Sequence, residues 1–248
     1  MLEARQLGLQ RPVRLDDISV TLPAGGLSVI LGPNGAGKST LLHLLGGALR
    51  PTGGSITLDG QEVSRLPPAR LATLRAMVEQ QPLRPAGMAV ATLLDIGHGL
   101  PDASARRQAM DATCIHDLLS RDCATLSGGE IARVHLARAL HQLFASRERC
   151  RYLLLDEPTA ALDIGAAQLQ LASLRQLARE HGIGVVAVLH DVNLAAQHAD
   201  HVLLLKAGRA MASGAASDVL QLPLLQELYD SPLRELRDAE GRRAFLAV

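Results

Sequence analysis

A glycine-rich stretch, ILGPNGAGKST, occupies residues 30–40 and matches the pattern Gly-x-x-x-x-Gly-Lys-Ser/Thr over residues 32–39. Between a strand and a helix, such a stretch surrounds a phosphate with backbone N–H groups. We expect Lys38 to reach the β- and γ-phosphates and Ser39 to ligate Mg²⁺. An ordinary tight turn is the alternative. The predicted phosphate loop, residues 32–40, comprises Gly32, Pro33, Asn34, Gly35, Ala36, Gly37, Lys38, Ser39 and Thr40.

The lysine of this loop is conspicuous in this composition. The chain contains two lysines, Lys38 and Lys206, and otherwise uses arginine for positive charge. A compact ammonium reaches between phosphates in a way that the wide, planar guanidinium does not reproduce. This bias supports a phosphate-binding role for Lys38.

A pair of carboxylates ends the apolar stretch YLLLDEP at residues 152–158. Two adjacent carboxylates permit a division of labour, in which Asp156 holds Mg²⁺ through water molecules and Glu157 polarises the attacking water. In the alternative interpretation both residues cap the turn that follows. The phosphate loop favours the first interpretation.

Two further polar residues follow apolar stretches. His190 ends VVAVLH, and Gln80 comes after RAMVE. A histidine after a strand is by itself more often a satisfied polar residue than a catalytic one. However, ligands of open parallel sheets bind beyond the carboxyl ends of the strands. We therefore expect Gln80, Asp156, Glu157 and His190 to meet the phosphate loop in one crevice around a γ-phosphate.

The sequence LSGGE, the signature loop of residues 126–130, predicts a capping box, in which Ser127 accepts from the Glu130 N–H and Glu130 reaches back. Its glycines leave the first-turn amides open as an anion site. One interpretation is simply a well-capped helix. In the other, the amides serve the nucleotide of a second chain, through Leu126, Ser127, Gly128, Gly129 and Glu130.

Strands and helices that position these residues are visible in the apolar pattern. Short, nearly continuous apolar runs are typical of parallel strands buried on both faces, here 27–31, 76–79, 152–155 and 185–189. Alternation predicts an early antiparallel region at 18–22 and 53–63. Helical spacing is present at 39–49, 103–119, 130–144 and 165–180. A closing hairpin follows 203–205, and a short helix begins near Ser217.

This alternation of strands and helices predicts an α/β fold in a single domain, 1–248. The predicted core spans 1–81 and 145–215, with a mostly parallel sheet and an N-terminal antiparallel β subdomain. A helical subdomain is inserted at 82–144, and a C-terminal helix and tail occupy 216–248.

Composition excludes several function classes. The 25 basic and 25 acidic residues balance, which gives no reason to expect a nucleic-acid partner or an electrostatic membrane anchor. Residues 1–13 do not resemble a signal peptide, and no run of about 18 apolar residues occurs. We expect a cytosolic protein whose three cysteines are free thiols.

Taken together, these motifs resemble those of the ATP-binding cassette (ABC) ATPases over nearly the whole chain. In this resemblance Walker A is 32–40, the glutamine loop contains Gln80, the signature is 126–130, Walker B is 153–157, the D-loop is 161–163 with Asp163, and His190 is the switch histidine. The resemblance implies the ABC ATPase fold with a P-loop NTPase core. It also implies ATP as substrate, Mg²⁺ as cofactor, and Ser39, Gln80 and Asp156 around the metal.

The resemblance further implies a head-to-tail homodimer that encloses two ATP molecules, each between the phosphate loop of one copy and the signature loop of the other. Two copies of a transmembrane permease would bind this dimer at the cytoplasmic face of the inner membrane, so the membrane is contacted through the permease alone. A periplasmic substrate-binding protein takes part indirectly. The segment 189–214 is similar to the importer branch for iron chelates, haem and vitamin B12. Within that branch, the arginine-rich spacer 145–158 and the tail 224–243 are similar to haem importers, so haem is favoured as cargo, siderophores come next and cobalamin third.

One departure concerns the nucleobase. Family members usually stack adenine on an aromatic residue upstream of Walker A, and none is present here, so Leu9 or a neighbour such as Arg11 is expected to replace it. Two other functions were considered. A non-transport ABC protein acting on DNA or the ribosome would carry coiled-coil inserts or basic surfaces. A P-loop kinase is disfavoured by the carboxylate pair beside a signature loop.

Overall fold

The computed structural model describes residues 1–11, 14–97, 102–160 and 162–248. Within these ranges the strands are β1 (Leu2–Leu9), β2 (Leu15–Leu22), β3 (Leu27–Leu31), β4 (Gly53–Leu58), β5 (Gln61–Glu62), β6 (Arg75–Val78), β7 (Arg151–Asp156), β8 (Ile183–Val188), β9 (His201–Lys206), β10 (Arg209–Ala215), β11 (Leu233–Arg237) and β12 (Arg243–Ala247). The helices are α1 (Lys38–Leu45), α2 (Pro68–Leu74), α3 (Val90–Leu94), α4 (Ala103–Thr113), α5 (Gly128–Phe144), α6 (Ile164–His181), α7 (Val192–His198), α8 (Ala216–Val219) and α9 (Leu222–Tyr229).

A six-stranded sheet in the order β10-β9-β3-β8-β7-β6 forms the centre of the fold. Its strands β9, β3, β8, β7 and β6 run parallel, and β10 pairs antiparallel to β9 at one edge. All residues of β3 and β8 are buried, because helices cover one face and α1 with a second sheet covers the other. The expected parallel strands are therefore confirmed to within one or two residues.

The second sheet is antiparallel, in the order β2-β1-β4-β5, and packs its apolar face against α1. Tyr152 at the start of β7 joins this sheet to the core. Its hydroxyl accepts a hydrogen bond from the Leu2 N–H (2.9 Å) and donates one to the Leu22 carbonyl (2.8 Å). The expected antiparallel region is present, and β1 adds a strand that the apolar pattern did not predict.

The inserted segment forms helices α3, α4 and α5 around a small apolar cluster of its own. In the described part of 82–144 the only strand-like pairing is an isolated bridge between Ala89 and Asp122. The helix expected at 103–119 ends at Thr113, because Cys114 adopts a left-handed conformation (φ 50°) and a 3₁₀ turn, His116–Leu118, follows. Likewise α1 ends at Leu45, before the Gly46-Gly47 pair.

The tail beyond residue 216 forms α8, α9 and a separate two-stranded hairpin, β11-β12. The hairpin was not predicted from the sequence. Of all the helices in the described ranges, none is both long and apolar enough to cross a membrane.

Candidate functional site

The phosphate loop connects the buried strand β3 to α1. Gly35 (φ 78°) and Gly37 (φ 98°) adopt left-handed conformations that only glycine takes without strain. Lys38 folds over the loop and donates hydrogen bonds to the carbonyl oxygens of Gly32 (2.8 Å) and Pro33 (3.0 Å). The loop thus forms a cradle around the ammonium group of Lys38.

The amides at the start of α1 are available to an anion. Gly37 is the N-cap of this helix and has no side chain to bond them. A helix N-terminus with free N–H groups carries a partial positive charge and binds phosphate. At the other end of the loop, a Cβ on Gly32 would lie 2.1 Å from the Leu205 carbonyl oxygen, so this position requires glycine.

Two buried charged groups lie beside the cradle. Asp156, at the end of β7, accepts a hydrogen bond from the Ser39 hydroxyl (2.9 Å). Burial raises the pKa of Asp156, an effect opposed by the Ser39 hydrogen bond. Burial lowers the pKa of Lys38. Both groups have lost hydration, and a ligand that supplies the opposite charge would favour their ionised forms.

Glu157 is the centre of a second polar cluster. Its Oε2 accepts a hydrogen bond from Gln80 Nε2 (2.5 Å), and its Oε1 lies 2.5 Å from His190 Nε2. The backbone of Glu157 is left-handed (φ 47°), a conformation that costs an L-residue about 1–2 kcal/mol. Such strain persists where the surrounding structure fixes it, commonly at functional sites.

Sheet order explains why these residues meet. The strand β8, which leads to His190, lies between β3, which leads to the phosphate loop, and β7, which leads to Glu157. All three strands are parallel, so their carboxyl ends lie at one edge of the sheet. β6, which leads to Gln80, pairs with the other side of β7. The crevice expected from the sequence is thus present in the geometry.

The signature loop begins α5 with both bonds of a capping box. The Glu130 N–H donates to Ser127 Oγ (3.3 Å), and the Ser127 N–H donates to Glu130 Oε2 (2.7 Å). The hydrogen bond from the Ser127 N–H lowers the pKa of Glu130, and the Ser127 side chain and Arg121 lower it further. A Cβ on Gly129 would meet no atom within 4 Å, so one face of the loop is open.

Arg84 and His135 link the segment after Gln80 to the signature helix, and no sequence motif indicates either residue. Arg84 Nη1 donates to the Leu126 carbonyl (3.1 Å), directly before the signature serine. His135 of α5 donates from Nε2 to the Leu83 carbonyl (2.8 Å). A cavity of about 510 Å³ lies between this segment, the end of β7 and α5.

Two expected site residues have simpler surroundings. Asp163 caps α6 by accepting from the Ala166 N–H (2.8 Å), while its neighbour Ala161 in the expected D-loop lies outside the described residues. Leu9 is buried in the core, only 4% exposed, and is not free to stack on a base. Arg11 is exposed, which leaves it as the expected substitute for the missing aromatic residue.

Comparison with known proteins identifies the family. A family profile described as "ABC transporter" matches residues 15–160, which is more than half of the chain. The chain belongs to the ABC transporter family. As an ABC ATPase domain it binds ATP or ADP and hydrolyses ATP. ABC ATPase homologues act as dimers with transmembrane permease partners.

Among curated relatives, the hemin import ATP-binding protein HmuV of Rhodopseudomonas palustris is 39% identical, over 97% of this chain and 91% of the relative. The HmuV protein of Hydrogenovibrio crunogenus is 38% identical, over 97% of both chains. A chain from a structure described as an inward-facing metal-chelate type ABC transporter superposes with a TM-score of 0.81 and 26% identity, over 100% of this chain and 96% of that one. The ABC ATPase fold class expected from the sequence is confirmed.

Proposed function

We propose that this chain is the ATP-hydrolysing subunit of an ABC importer that takes up hemin. The observation that carries the ATPase assignment is the cluster of Gln80, Glu157 and His190 at the sheet edge, next to the phosphate loop. The hemin assignment rests on relatives named hemin import ATP-binding proteins, which align with almost the whole chain. A ferric siderophore and vitamin B12 are the alternative cargoes.

In the proposed mechanism Glu157 is the general base. It orients a water molecule towards the γ-phosphorus and accepts its proton as the bond to the ADP oxygen breaks. Gln80 and His190 hold the two carboxylate oxygens, and so fix the direction in which the base points. Lys38, together with the loop amides, stabilises the negative charge that develops on the phosphate oxygens.

The residues present fit a magnesium ion. The Ser39 hydroxyl and the Asp156 carboxylate lie 2.9 Å apart and offer the hard oxygen ligands that Mg²⁺ prefers. Ser39 and Gln80 would hold the metal directly, and Asp156 would hold it through water. When bound, Mg²⁺ neutralises charge on the β- and γ-phosphates.

The open amides of the signature loop support a homodimer. Besides its capping box, the loop accepts hydrogen bonds from Arg84 at Leu126 and from Arg121 at Glu130. None of these bonds uses the N–H groups of Gly128 and Gly129, which can bind the γ-phosphate held by a second copy. The proposed dimer is two-fold symmetric, with Ser127, Gly128 and Gly129 of each copy facing the phosphate loop of the other. In this proposal Asp163, the N-cap of α6, lies at the same interface.

Transport requires a membrane partner. Leu83 is 80% exposed between Gln80 and Arg84 and lines the cavity between this segment and α5, and we propose that this cavity receives a permease helix. We propose two permease copies per dimer, at the cytoplasmic face of the inner membrane, with a periplasmic hemin-binding protein acting through them. No nucleic-acid partner is proposed, given the balanced charge.

Replacing Glu157 by glutamine tests the ATPase assignment. Turnover should fall by about 10²- to 10⁴-fold, the usual value of general-base assistance, while ATP still binds and the dimer stays closed. Glu180→Gln, the same change on an exposed carboxylate of α6, is the matched control. Turnover of Glu157→Gln near that of the control would overturn the role of Glu157.

Cargo is tested by co-purifying the tagged chain with its permease and reconstituting the complex in proteoliposomes. Hemin, a ferric siderophore and vitamin B12 are offered in turn, with the Glu157→Gln complex as the inactive control. ATP-dependent accumulation of hemin alone supports the proposal. Accumulation of one of the other two identifies a different importer, and copurification with no membrane protein refutes transport.

A further inference from the structure

The C-terminal hairpin packs on α7, the helix that follows His190. In the described structure the strands β11 and β12 pair only with each other. Phe245 of β12 is 4% exposed within the apolar cluster that also contains Leu194 and Ala195 of α7. The hairpin is therefore part of the packed structure next to the catalytic cluster.

A reciprocal pair of hydrogen bonds connects Asn193 to β12. Asn193 Nδ2 donates to the Phe245 carbonyl (3.1 Å), and the Phe245 N–H donates to Asn193 Oδ1 (2.7 Å). The side-chain amide of Asn193 thus forms the same donor and acceptor bonds with Phe245 that the backbone of a neighbouring strand would form. An asparagine is the smallest side chain whose donor and acceptor are separate atoms, so it can bond the N–H and the carbonyl of one residue at once.

Only two residues separate Asn193 from His190. Asp191 caps α7 by accepting from the N–H groups of Asn193 (2.7 Å) and Leu194 (3.3 Å). A seven-residue helix has little stability by itself, so its position depends on tertiary contacts. The backbone of His190 is thus fixed by β8 on one side and by α7 with its partners on the other.

The hairpin is held from its other side as well. Arg243 of β12 bonds the Leu220 carbonyl and pairs with Glu235 of β11 (2.9 Å). Burial raises the pKa of Tyr229 in α9 to about 12, and the negative charge of the nearby Asp191 carboxylate contributes to this rise. The tail is thus bonded to α7 through the Asn193–Phe245 pair, and Arg243 bonds the hairpin to the residue that follows α8.

We propose that Asn193 is a positioning residue for His190, and that the hairpin β11-β12 is the element through which it acts. This inference rests on the proposed ATPase function. Releasing Asn193 from β12 lets the start of α7 move, so His190 loses its alignment with Glu157. The phosphate loop follows a different strand, β3, so nucleotide binding is unaffected.

Asn193→Ala tests the proposal in the full-length protein. The value of kcat for ATP hydrolysis should fall by about 10-fold, as expected for a displaced catalytic group, while KM and the dissociation constant for ATP stay within about twofold. Gln197→Ala is the control, because it removes one side-chain hydrogen bond from the exposed face of the same helix. A purely structural role would lower the melting temperature and leave kcat unchanged, which overturns the proposal.

A chain that ends at Ser231 provides the second test. It should show the same loss of kcat, and adding Asn193→Ala to it should cause no further loss. A further 10-fold loss would show that Asn193 acts independently of the hairpin. If the shortened chain fails to fold, as judged by circular dichroism, the Asn193→Ala result alone decides. Glu157→Gln is measured alongside: a parent chain without ATPase activity refutes the proposed function, whereas an active parent with a fully active Asn193→Ala refutes only this inference.

Discussion

Replacing Tyr152 by phenylalanine should destabilise the protein strongly, whereas the same change at Tyr229 should not. The Tyr152 hydroxyl bonds both the Leu2 N–H and the Leu22 carbonyl, and all three residues are fully buried. Its removal leaves one donor and one acceptor without partners, at about 1–3 kcal/mol each. We expect a loss of about 3 kcal/mol in the free energy of unfolding. The Tyr229 hydroxyl has no hydrogen-bond partner among the described residues, so Tyr229→Phe removes no bond.

Urea denaturation followed by circular dichroism measures both variants. With a slope of about 3 kcal/mol per molar urea, the Tyr152→Phe midpoint should fall by about 1 M, and the Tyr229→Phe midpoint should stay within about 0.2 M. Equal shifts for the two variants would refute the reasoning, since the variants differ in the bonds that are lost. So would a shift below about 0.2 M for Tyr152→Phe.

Three further predictions concern the site. Gly32→Ala places a Cβ against the Leu205 carbonyl oxygen and should weaken ATP binding at least about 10-fold by fluorescence titration; unchanged affinity would contradict the close approach. Arg84→Ala frees the Leu126 carbonyl and should lower steady-state turnover about 3- to 10-fold without changing ATP affinity; a loss of affinity instead would refute this role. Burial lowers the pKa of Lys38 and a triphosphate raises it again, so ATP binding in alkaline solution below the ordinary lysine pKa should take up protons and weaken as pH rises, by calorimetry in two buffers; proton release would contradict the sign.

The central sheet could be predicted because strands that are buried on both faces are nearly continuous apolar runs in the sequence. The run 27–31 coincides with β3, and the other apolar runs overlap β6, β7 and β8. Strands with one exposed face were harder to recognise. In β1 the buried residues are Leu2, Ala4, Leu7 and Leu9, because a bulge at Gln6 (φ 48°) shifts the alternation by one residue.

The C-terminal hairpin was hidden for a related reason. Its inward positions include Glu235 and Arg243, which satisfy each other in an ion pair, so the apolar alternation of β11 and β12 is interrupted. Phe245 of β12 contacts Asn193 of α7, about 50 residues earlier in the chain. A pattern within the strand does not reveal such a contact.

The residues of the proposed chemistry could be chosen by type, spacing and order, because Lys38 lies in a glycine-rich pattern between a strand and a helix and Glu157 directly follows a buried strand. Arg84 and Asn193 could not be chosen in this way. Both bond backbone groups far away in the chain, at Leu126 and Phe245. Every residue has a backbone carbonyl, and nearly every residue has a backbone N–H. A hydrogen bond to the backbone therefore does not restrict the type of the partner residue, and the sequence does not reveal it.

The backbone conformation of Glu157 also limits which substitutions can be used to trap the ATP-bound protein for cryo-microscopy. Its positive φ is tolerated by an unbranched amide, and poorly by threonine or valine, whose branched Cβ clashes in that region. A β-branched residue at position 157 would therefore distort the loop as well as remove the carboxylate. A loss of transport in such a variant could not be attributed to the carboxylate alone. Glutamine keeps the two effects apart.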